Sequence, residues 1–321
     1  MAEHENGTDR VAGALPNLVL AGVTKAGTTS LFNYLGQHPE IGVAGVKEIN
    51  YFTPLLYGDS LAPLSEYSRH FARCADRPWR LDASPAYFVG GAELATAVQA
   101  TLPDARVLIA LRDPVRRFWS SYTYKHSKGR LPKDMTFPAF IAKCRQLRDA
   151  GVDGTPENVV YRTLSAGMYA DYLEGWFDVF GDALRVVFFE TLADDPRMVL
   201  SDICRWLGID AAPVASMDLA ARNATTQPRS LRLRRAAHRL NAALAPVVGD
   251  SVRRRLKRSY DRVNSGSLDE RLGDAEREEL AEFYAEANAR CAALLTARGY
   301  ADLPDWLSPT PATPRPAGQS S

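Results

Sequence analysis

Apolar residues are concentrated in short runs that predict the strands of a parallel sheet. Three runs, Asn17–Val23, Arg106–Arg112 and Leu184–Glu190, are dense in aliphatic and β-branched residues, and Arg80–Ala83 is a shorter fourth candidate. Strands of a parallel sheet are covered by helices on both faces, so they are apolar throughout rather than at alternate positions. The runs therefore predict a central parallel sheet.

Helix signals alternate with these strands. Asp113-Pro114 and Asp195-Pro196 each pair an N-cap residue with a proline suited to the first turn. Three apolar stripes at helical spacing follow: Val115, Phe118, Trp119 and Tyr122; Tyr169, Tyr172, Leu173, Trp176, Phe177 and Phe180; and Val199, Ile203, Trp206 and Leu207, with Gly208 as the stop. The aromatic stripe is interpreted as core packing rather than a cofactor site. Alternating strands and helices predict an α/β fold that binds ligands at the carboxyl ends of its strands.

Composition is that of an ordinary globular protein. The 321 residues are 46% apolar and 24% charged, with a formal net charge of +1, which excludes disordered, collagen-like and coiled-coil chains and gives no general attraction to nucleic acid. Residues 1–13 and 308–321 are polar or rich in Pro, Ser and Thr, and we expect both to be disordered. One domain over 14–307, with a helical C-terminal part, is the predicted organisation.

The cysteines and the N-terminus bear on the compartment. Four scattered cysteines without a Cys-x-x-Cys pair match neither a zinc site nor a disulfide framework, and we expect reduced thiols. The N-terminus has no apolar leader, and no run reaches the ~18 apolar residues that span a bilayer. A cytoplasmic protein without a transmembrane segment is expected.

A glycine-rich loop, residues 22–30 (GVTKAGTTS), connects the first strand to a helix. Such a turn presents free backbone N–H groups and a positive dipole end to a phosphate. Gly22 and Gly27 have the spacing of a Walker A loop, but Thr28 stands where its lysine belongs and Lys25 lies inside the loop. This displacement favours a ligand with one anhydride and no Mg²⁺. The alternative is a plain connector.

Two further segments carry candidate chemistry. Arg112 closes a predicted strand, and Arg116 and Ser120 follow one helical turn apart, on the helix face opposite the apolar stripe. Arg112 and the Ser120 hydroxyl could clamp a second phosphate. Glu48 lies in residues 46–52 (VKEINYF) and could act as a general base. The alternative for each is a solvated surface side chain.

Taken in order, these motifs resemble a known family. They are KAGTTS at 25–30, Lys47-Glu48 followed by Tyr51-Phe52, SPAY at 84–87, and Arg112-Asp113-Pro114 with Ser120 eight positions after the arginine. The pattern resembles the PAPS-dependent sulfotransferases, in the branch of the heparan sulfate 3-O- and N-sulfotransferases and many bacterial enzymes. It extends from about residue 15 to about residue 208. The resemblance implies a P-loop-like parallel sheet flanked by helices.

The resemblance also implies a donor and site residues. The donor is 3′-phosphoadenosine 5′-phosphosulfate (PAPS), used without a metal; Lys25 would stabilise the leaving phosphate and Glu48 would take the acceptor's proton. Implied donor contacts are Lys25, Ala26, Gly27, Thr28, Thr29, Ser30, Arg112, Ser120 and, more loosely, Arg229. Implied acceptor contacts are Lys47, Phe52, Ser84, Pro85 and Tyr87.

Departures from the family pattern shape the functional hypothesis. Residues 82–85 contain no histidine, which leaves Glu48 as the base, and Ala83 stands where the heparan sulfate enzymes carry a lysine, which argues against heparan sulfate. We expect sulfuryl transfer to a hydroxyl, in preference to an amine, of a small molecule, glycan or lipid. The alternatives are a P-loop kinase using ATP and Mg²⁺, and a catalytically silent nucleotide-binding protein.

A basic stretch follows the motifs. Residues 229–262 hold 11 Lys and Arg against two Asp. They could cap the acceptor side or make weak contact with a membrane surface, or they could be solvated helix faces paired with the acidic residues 269–290. The stretch lacks interleaved aromatic residues, so nucleic-acid binding is not expected. No pattern indicates an oligomeric state.

Overall fold

The computed structural model describes residues 14–219 and 272–308, together with the backbone of two short paired strands, β6 (Gln227–Pro228) and β7 (Ser265–Gly266). Its centre is a five-stranded sheet in the order β2-β3-β1-β4-β5, with every pair parallel. The strands are β1 (Leu18–Gly22), β2 (Ile41–Val43), β3 (Trp79–Ala83), β4 (Arg106–Leu111) and β5 (Leu184–Phe188). The four predicted strands are confirmed, each within two residues of its expected ends.

Nine described helices surround the sheet or extend from it. They are α1 (Thr28–Leu35), α2 (Leu64–Arg69), α3 (Gly91–Thr101), α4 (Pro114–Ser127), α5 (Phe137–Asp149), α6 (Ala170–Phe180), α7 (Phe189–Asp194), α8 (Pro196–Leu207) and α9 (Asp274–Ala297). The predicted caps are confirmed, because Asp113 accepts hydrogen bonds from the first turn of α4 and Asp195 from that of α8. Gly208 ends α8 in a left-handed conformation at φ 74°.

The aromatic stripe of α6 belongs to the core, as interpreted. Trp176 is fully buried, and its indole N–H donates to the carbonyl of Phe88 at 3.0 Å. Gly175 allows α6 to approach α3 closely, since a Cβ there would lie 2.6 Å from the backbone nitrogen of Ala92. The contact fixes α6 and α3 together on one face of the sheet.

A second apolar cluster holds the C-terminal part of the chain against α4. Phe118 of α4 packs on Phe140 of α5, and Tyr284 of α9 belongs to the same cluster. The hydroxyl of Tyr284 donates to the carbonyl of Leu164 at 2.9 Å. The expected helical C-terminal part is thereby confirmed, and its packing sets the rotation of α4, which matters for the site.

The expectations on the cysteines and on membrane spans can be compared with the described residues, whereas those on the chain ends and the basic stretch cannot. All four cysteines are buried and unpaired. Among the described residues, no helix combines the length and apolar character needed to cross a membrane. Residues 1–13, the whole basic stretch 229–262 with Arg229, and the tail from residue 309 lie outside the described residues, so their predicted roles stay predictions.

Candidate active site

A cavity of about 980 Å³ opens at the carboxyl ends of the five central strands. Its wall includes the loop after β1, the segments after β2 and β3, and residues of α4 and α7. Lys25 and Arg112 line it together with five further cations, Arg117, Lys125, Lys128, Arg130 and Arg162. Glu48 is the one carboxylate among the described residues that line it. The cavity therefore suits a ligand with several negative charges.

The glycine-rich loop forms one end of this cavity. Lys25 and Gly27 adopt left-handed backbone conformations at φ 70° and 85°. No side chain caps the N-terminus of α1, which begins at Thr28, so the N–H groups of its first turn are available to an anion. The N–H of Ala26 donates to the carbonyl of Val23 at 3.1 Å, so Ala26 shapes the loop rather than offering a free donor.

Lys25 is a buried cation in a positive environment. Burial, with a smaller contribution from the charges of Arg112 and Lys128, lowers its pKa to about 8, against an opposing effect of Glu48. Its amine lies 4.3 Å from the centroid of the Tyr124 ring. A negative group bound beside this amine would raise its pKa again, so Lys25 is suited to neutralise charge on a bound phosphate.

Arg112 faces the same cavity from the end of β4. One of its terminal nitrogens donates to the carbonyl of Lys25 at 3.1 Å, and the guanidinium lies 4.2 Å from the ring of Phe189. Its Nε is buried and has no partner, while burial lowers the pKa of the group. An unpaired buried donor fits a ligand oxygen, and Ser120 lines the cavity on the adjacent helix.

The structure corrects the predicted face of α4. Arg116 is exposed and pairs with Asp113 at 3.5 Å, while Arg117 is buried and lines the cavity. The cavity face of α4 consists of Arg117, Ser120, Ser121, Tyr124, Lys125 and Lys128. Sequence reasoning missed most of these residues, although their spacing of three and four is a readable helical signal.

Glu48 reaches the cavity from a strained loop between β2 and α2. Glu48 and Asn50 have left-handed φ angles of 64° and 56°, which few non-glycine residues adopt. The N–H of Glu48 donates to the carbonyl of Ala83 at 3.0 Å, and the side-chain amide of Asn50 donates to the carbonyl of Glu48 at 3.0 Å. The Glu48 carboxylate is half exposed and lies 2.7 Å from the amine of Lys47. These hydrogen bonds fix the backbone of Glu48, while its half-exposed carboxylate can still be reached by a ligand.

A buried carboxylate, Asp82, anchors this loop from behind. It accepts hydrogen bonds from the hydroxyls of Ser84 at 2.7 Å, Tyr67 at 2.8 Å and Tyr87 at 3.1 Å. Burial raises the pKa of Asp82, and these three donors oppose the rise. The Ser84 hydroxyl oxygen also accepts the backbone N–H of Asn50 at 3.0 Å. The sequence signal for Asp82 is an acidic residue inside a short predicted strand.

Three predicted acceptor contacts require correction. Phe52, Ser84 and Tyr87 are fully buried and lie behind the cavity wall. Ser84 and Tyr87 bind Asp82, and Phe52 packs edge-on against Tyr87 at 5.4 Å between ring centroids. They support the Glu48 loop instead of touching an acceptor. Pro85 does line the cavity, whereas Lys47 contacts Glu48 beside it.

The known proteins that this chain resembles in sequence include sulfotransferases. The family model described as the sulfotransferase domain matches residues 15–240. The human heparan sulfate glucosamine 3-O-sulfotransferase 3A1 is 29% identical over 204 residues, which are 63% of this chain and 46% of that protein. Human carbohydrate sulfotransferase 15 is 27% identical over 259 residues, with 64% of this chain and 46% of that protein covered. The chain thus spans about half the length of these relatives.

Similarity to a solved structure covers more of the chain. The crystal structure of a sulfotransferase from Alicyclobacillus acidocaldarius aligns with 91% of this chain and 99% of its own at a TM-score of 0.64 and 24% identity. This match supports the fold, a parallel sheet flanked by helices. The family model matches residues 15–240, which are more than half of the chain and include all five strands of the sheet, so this chain belongs to the sulfotransferase family.

Proposed function

We propose that this protein transfers a sulfuryl group from PAPS to a hydroxyl of an acceptor. The observation that carries the proposal is the meeting of Lys25 and Glu48 in one cavity, at the carboxyl ends of the strands and beside an uncapped helix N-terminus. A pure binding site needs the cation but not the carboxylate. An enzyme that removes a proton from its acceptor needs both.

The donor would occupy the positive end of the cavity. PAPS supplies an activated sulfuryl group on its 5′-phosphate and carries a second phosphate at the 3′ position. The first turn of α1, with Thr28, Thr29 and Ser30, would hold the 5′-phosphosulfate. Arg112, through its unpaired Nε, and Ser120 would hold the 3′-phosphate.

The reaction joins the acceptor oxygen to sulfur. Glu48 takes the proton of the acceptor hydroxyl as the new O–S bond forms, and the bond from sulfur to the phosphate oxygen breaks. Lys25 stabilises the negative charge that develops on this leaving oxygen, and adenosine 3′,5′-bisphosphate is released. Positioning of the two reactants and electrostatic stabilisation of the leaving group would supply most of the rate enhancement.

Glycans are the acceptors to test first, beside small molecules and lipids. The names of the relatives specify heparan sulfate glucosamine and carbohydrate as their substrates. Ala83 argues against heparan sulfate itself for this chain. Kinase activity is less well supported, since Thr28 occupies the position of the Walker lysine.

The test is transfer of radioactive sulfur from labelled PAPS to a panel of glycans, phenols and long-chain alcohols. We expect label in at least one acceptor with the wild-type protein, at least about 100-fold less with Glu48→Gln, and no requirement for Mg²⁺. Phosphoryl transfer from ATP and Mg²⁺, with no transfer from PAPS, would contradict the proposal.

A further inference from the structure

The cavity holds more positive charge than the proposed donor requires. Lys25 and Arg112 account for the two phosphate-bearing ends of PAPS. Five further cations remain, of which Lys128 and Arg130 are exposed at the rim and Arg162 donates to the carbonyl of Val89 at 3.1 Å. The other two, Arg117 and Lys125, are not needed to hold either phosphate in the donor placement proposed above.

Arg117 and Lys125 lie two turns apart on α4 and meet at Thr163. The Arg117 guanidinium donates to the Thr163 carbonyl. The Lys125 amine donates to the Thr163 hydroxyl and, at 2.6 Å, to the carbonyl of Val160. Arg117 is 1% exposed and its Nε has no partner. Within residues 14–219 and 272–308, neither cation forms an ion pair.

Neutral oxygens do not compensate two buried positive charges. An isolated buried cation is strongly disfavoured unless an anion accompanies it or it loses its proton. Burial, with smaller contributions from the charges of Arg117 and Arg130, lowers the pKa of Lys125 to about 7. Cys144 of α5 faces the amine, but burial raises the pKa of this thiol to about 12, so it stays neutral. Two of the three amine hydrogens are used, which leaves one for a ligand.

We propose that Lys125, with Arg117 behind it, binds one anionic group of the acceptor, a carboxylate or a sulfate ester. The inference rests on the proposed function and names the acceptor class for the same cavity. Lys125 lies five residues beyond Ser120, about 7 Å further along the axis of α4, and therefore away from the 3′-phosphate position. The acceptor is accordingly an acidic molecule, for which an acidic glycoside is a suitable probe.

The test follows the lysines directly by ¹³C NMR of protein labelled at lysine Cε. The chain has seven lysines, so their signals can be assigned by single Lys→Met variants. The pH is titrated with saturating adenosine 3′,5′-bisphosphate and millimolar methyl β-D-glucuronide. Methyl β-D-glucoside, which has a hydroxymethyl group in place of the carboxylate, is the matched neutral ligand. Lys143, half-buried on α5 and outside the cavity lining, is the internal control.

The expected result is a Lys125 midpoint near pH 7 with the glucoside that rises by about one unit or more with the glucuronide. The Lys143 signal should be the same with both. Equal Lys125 midpoints with the two glycosides would overturn the proposal. An ordinary lysine midpoint in the free protein would also overturn it, because it would mean that an anion of the chain itself occupies the site. If Lys125→Met does not fold, calorimetry of the wild type decides: the glucuronide must bind more tightly than the glucoside.

The same spectra separate this inference from the proposed function. The Lys25 signal reports the donor site, so its failure to respond to adenosine 3′,5′-bisphosphate would contradict donor binding. The difference in the Lys125 midpoint between the two glycosides would still show whether Lys125 binds an anionic group.

Discussion

The hydroxyl oxygen of Ser84 lies 3.0 Å from the backbone nitrogen of Asn50, and this contact joins β3 to the loop that carries Glu48. Because Ser84 also donates to Asp82 at 2.7 Å, a fully buried carboxylate fixes the position of an accessible one. The left-handed conformations of Glu48 and Asn50 require such support.

Ser84→Ala should therefore slow turnover without weakening donor binding. Loss of the link lets the Glu48 loop relax, and a displacement of about 1 Å at a reacting group can cost about 100-fold in rate. We expect kcat to fall by about 10- to 100-fold, measured with any acceptor found by the labelled-PAPS test. Tyr67→Phe is the matched control, because it removes a hydrogen bond to the other Asp82 oxygen but keeps the link to Asn50. Equal losses of kcat in the two variants would contradict the positioning role.

Glu48→Gln should remove the base and keep the donor site. A positioned general base contributes about 10²- to 10⁴-fold, so kcat should fall within that range while the dissociation constant for adenosine 3′,5′-bisphosphate stays unchanged. Glu66→Gln, which alters a half-exposed glutamate on α2, serves as the control. Undiminished turnover in Glu48→Gln would exclude Glu48 as the base.

Gly27→Ala should disrupt the donor loop. A Cβ at Gly27 would lie 2.9 Å from the ring of Phe189, in a residue whose φ is +85°. Gly58→Ala is the control, since Gly58 has a φ of +77° but no atom within 4 Å of the added Cβ. Both variants should lose about 1 kcal/mol or more of stability from the left-handed conformation. Only Gly27→Ala should also lose affinity for adenosine 3′,5′-bisphosphate in calorimetry; equal affinities in the two variants would count against the loop.

The buried lysines predict a pH dependence of stability. Their pKa values, about 7 for Lys125 and about 8 for Lys25, lie below the ordinary lysine value of 10.5. Above these values the unfolded chain binds more protons than the folded one, so both groups make the free protein more stable as pH rises. Below them the folded state bears the cost of the buried charge.

Urea denaturation at about pH 7 and about pH 8.5 measures this effect. The stability gain should be smaller in Lys125→Met than in the wild type. Lys143→Met, which alters a half-buried lysine of α5 outside the cavity lining, should resemble the wild type. A gain of the same size in Lys125→Met would contradict the lowered pKa of Lys125.

Local patterns in the sequence predict much of the fold and part of the site. Each confirmed element depends only on residues that are neighbours in the sequence. These elements are the apolar runs of β1, β4 and β5, the Asp113 cap, and the loop that joins β1 to α1. Strand β2 escaped prediction because its three residues, Ile41–Val43, are too few to show a period.

Contacts between distant residues account for what the sequence could not predict. The packing of Phe118 against α5 and of α9 against α4 turns Arg117 rather than Arg116 into the cavity. The partners of Asp82 come from two segments, α2 with Tyr67 and the turn after β3 with Ser84 and Tyr87, so the full set appears only when Tyr67 reaches the end of β3. Residues that act through tertiary contacts of this kind need the folded structure to be recognised.

The stability of the protein with saturating adenosine 3′,5′-bisphosphate, compared with ATP and Mg²⁺, tests the central claim most directly. At about 100 times its dissociation constant, a ligand of the native state stabilises it by about 2.7 kcal/mol, which is a readily measured rise in melting temperature. We predict this rise with the bisphosphate in the absence of Mg²⁺, reduced in Lys25→Ala, and a smaller rise or none with ATP and Mg²⁺. A rise with ATP and Mg²⁺ alone would contradict the account and identify the loop as a binding site for a different nucleotide.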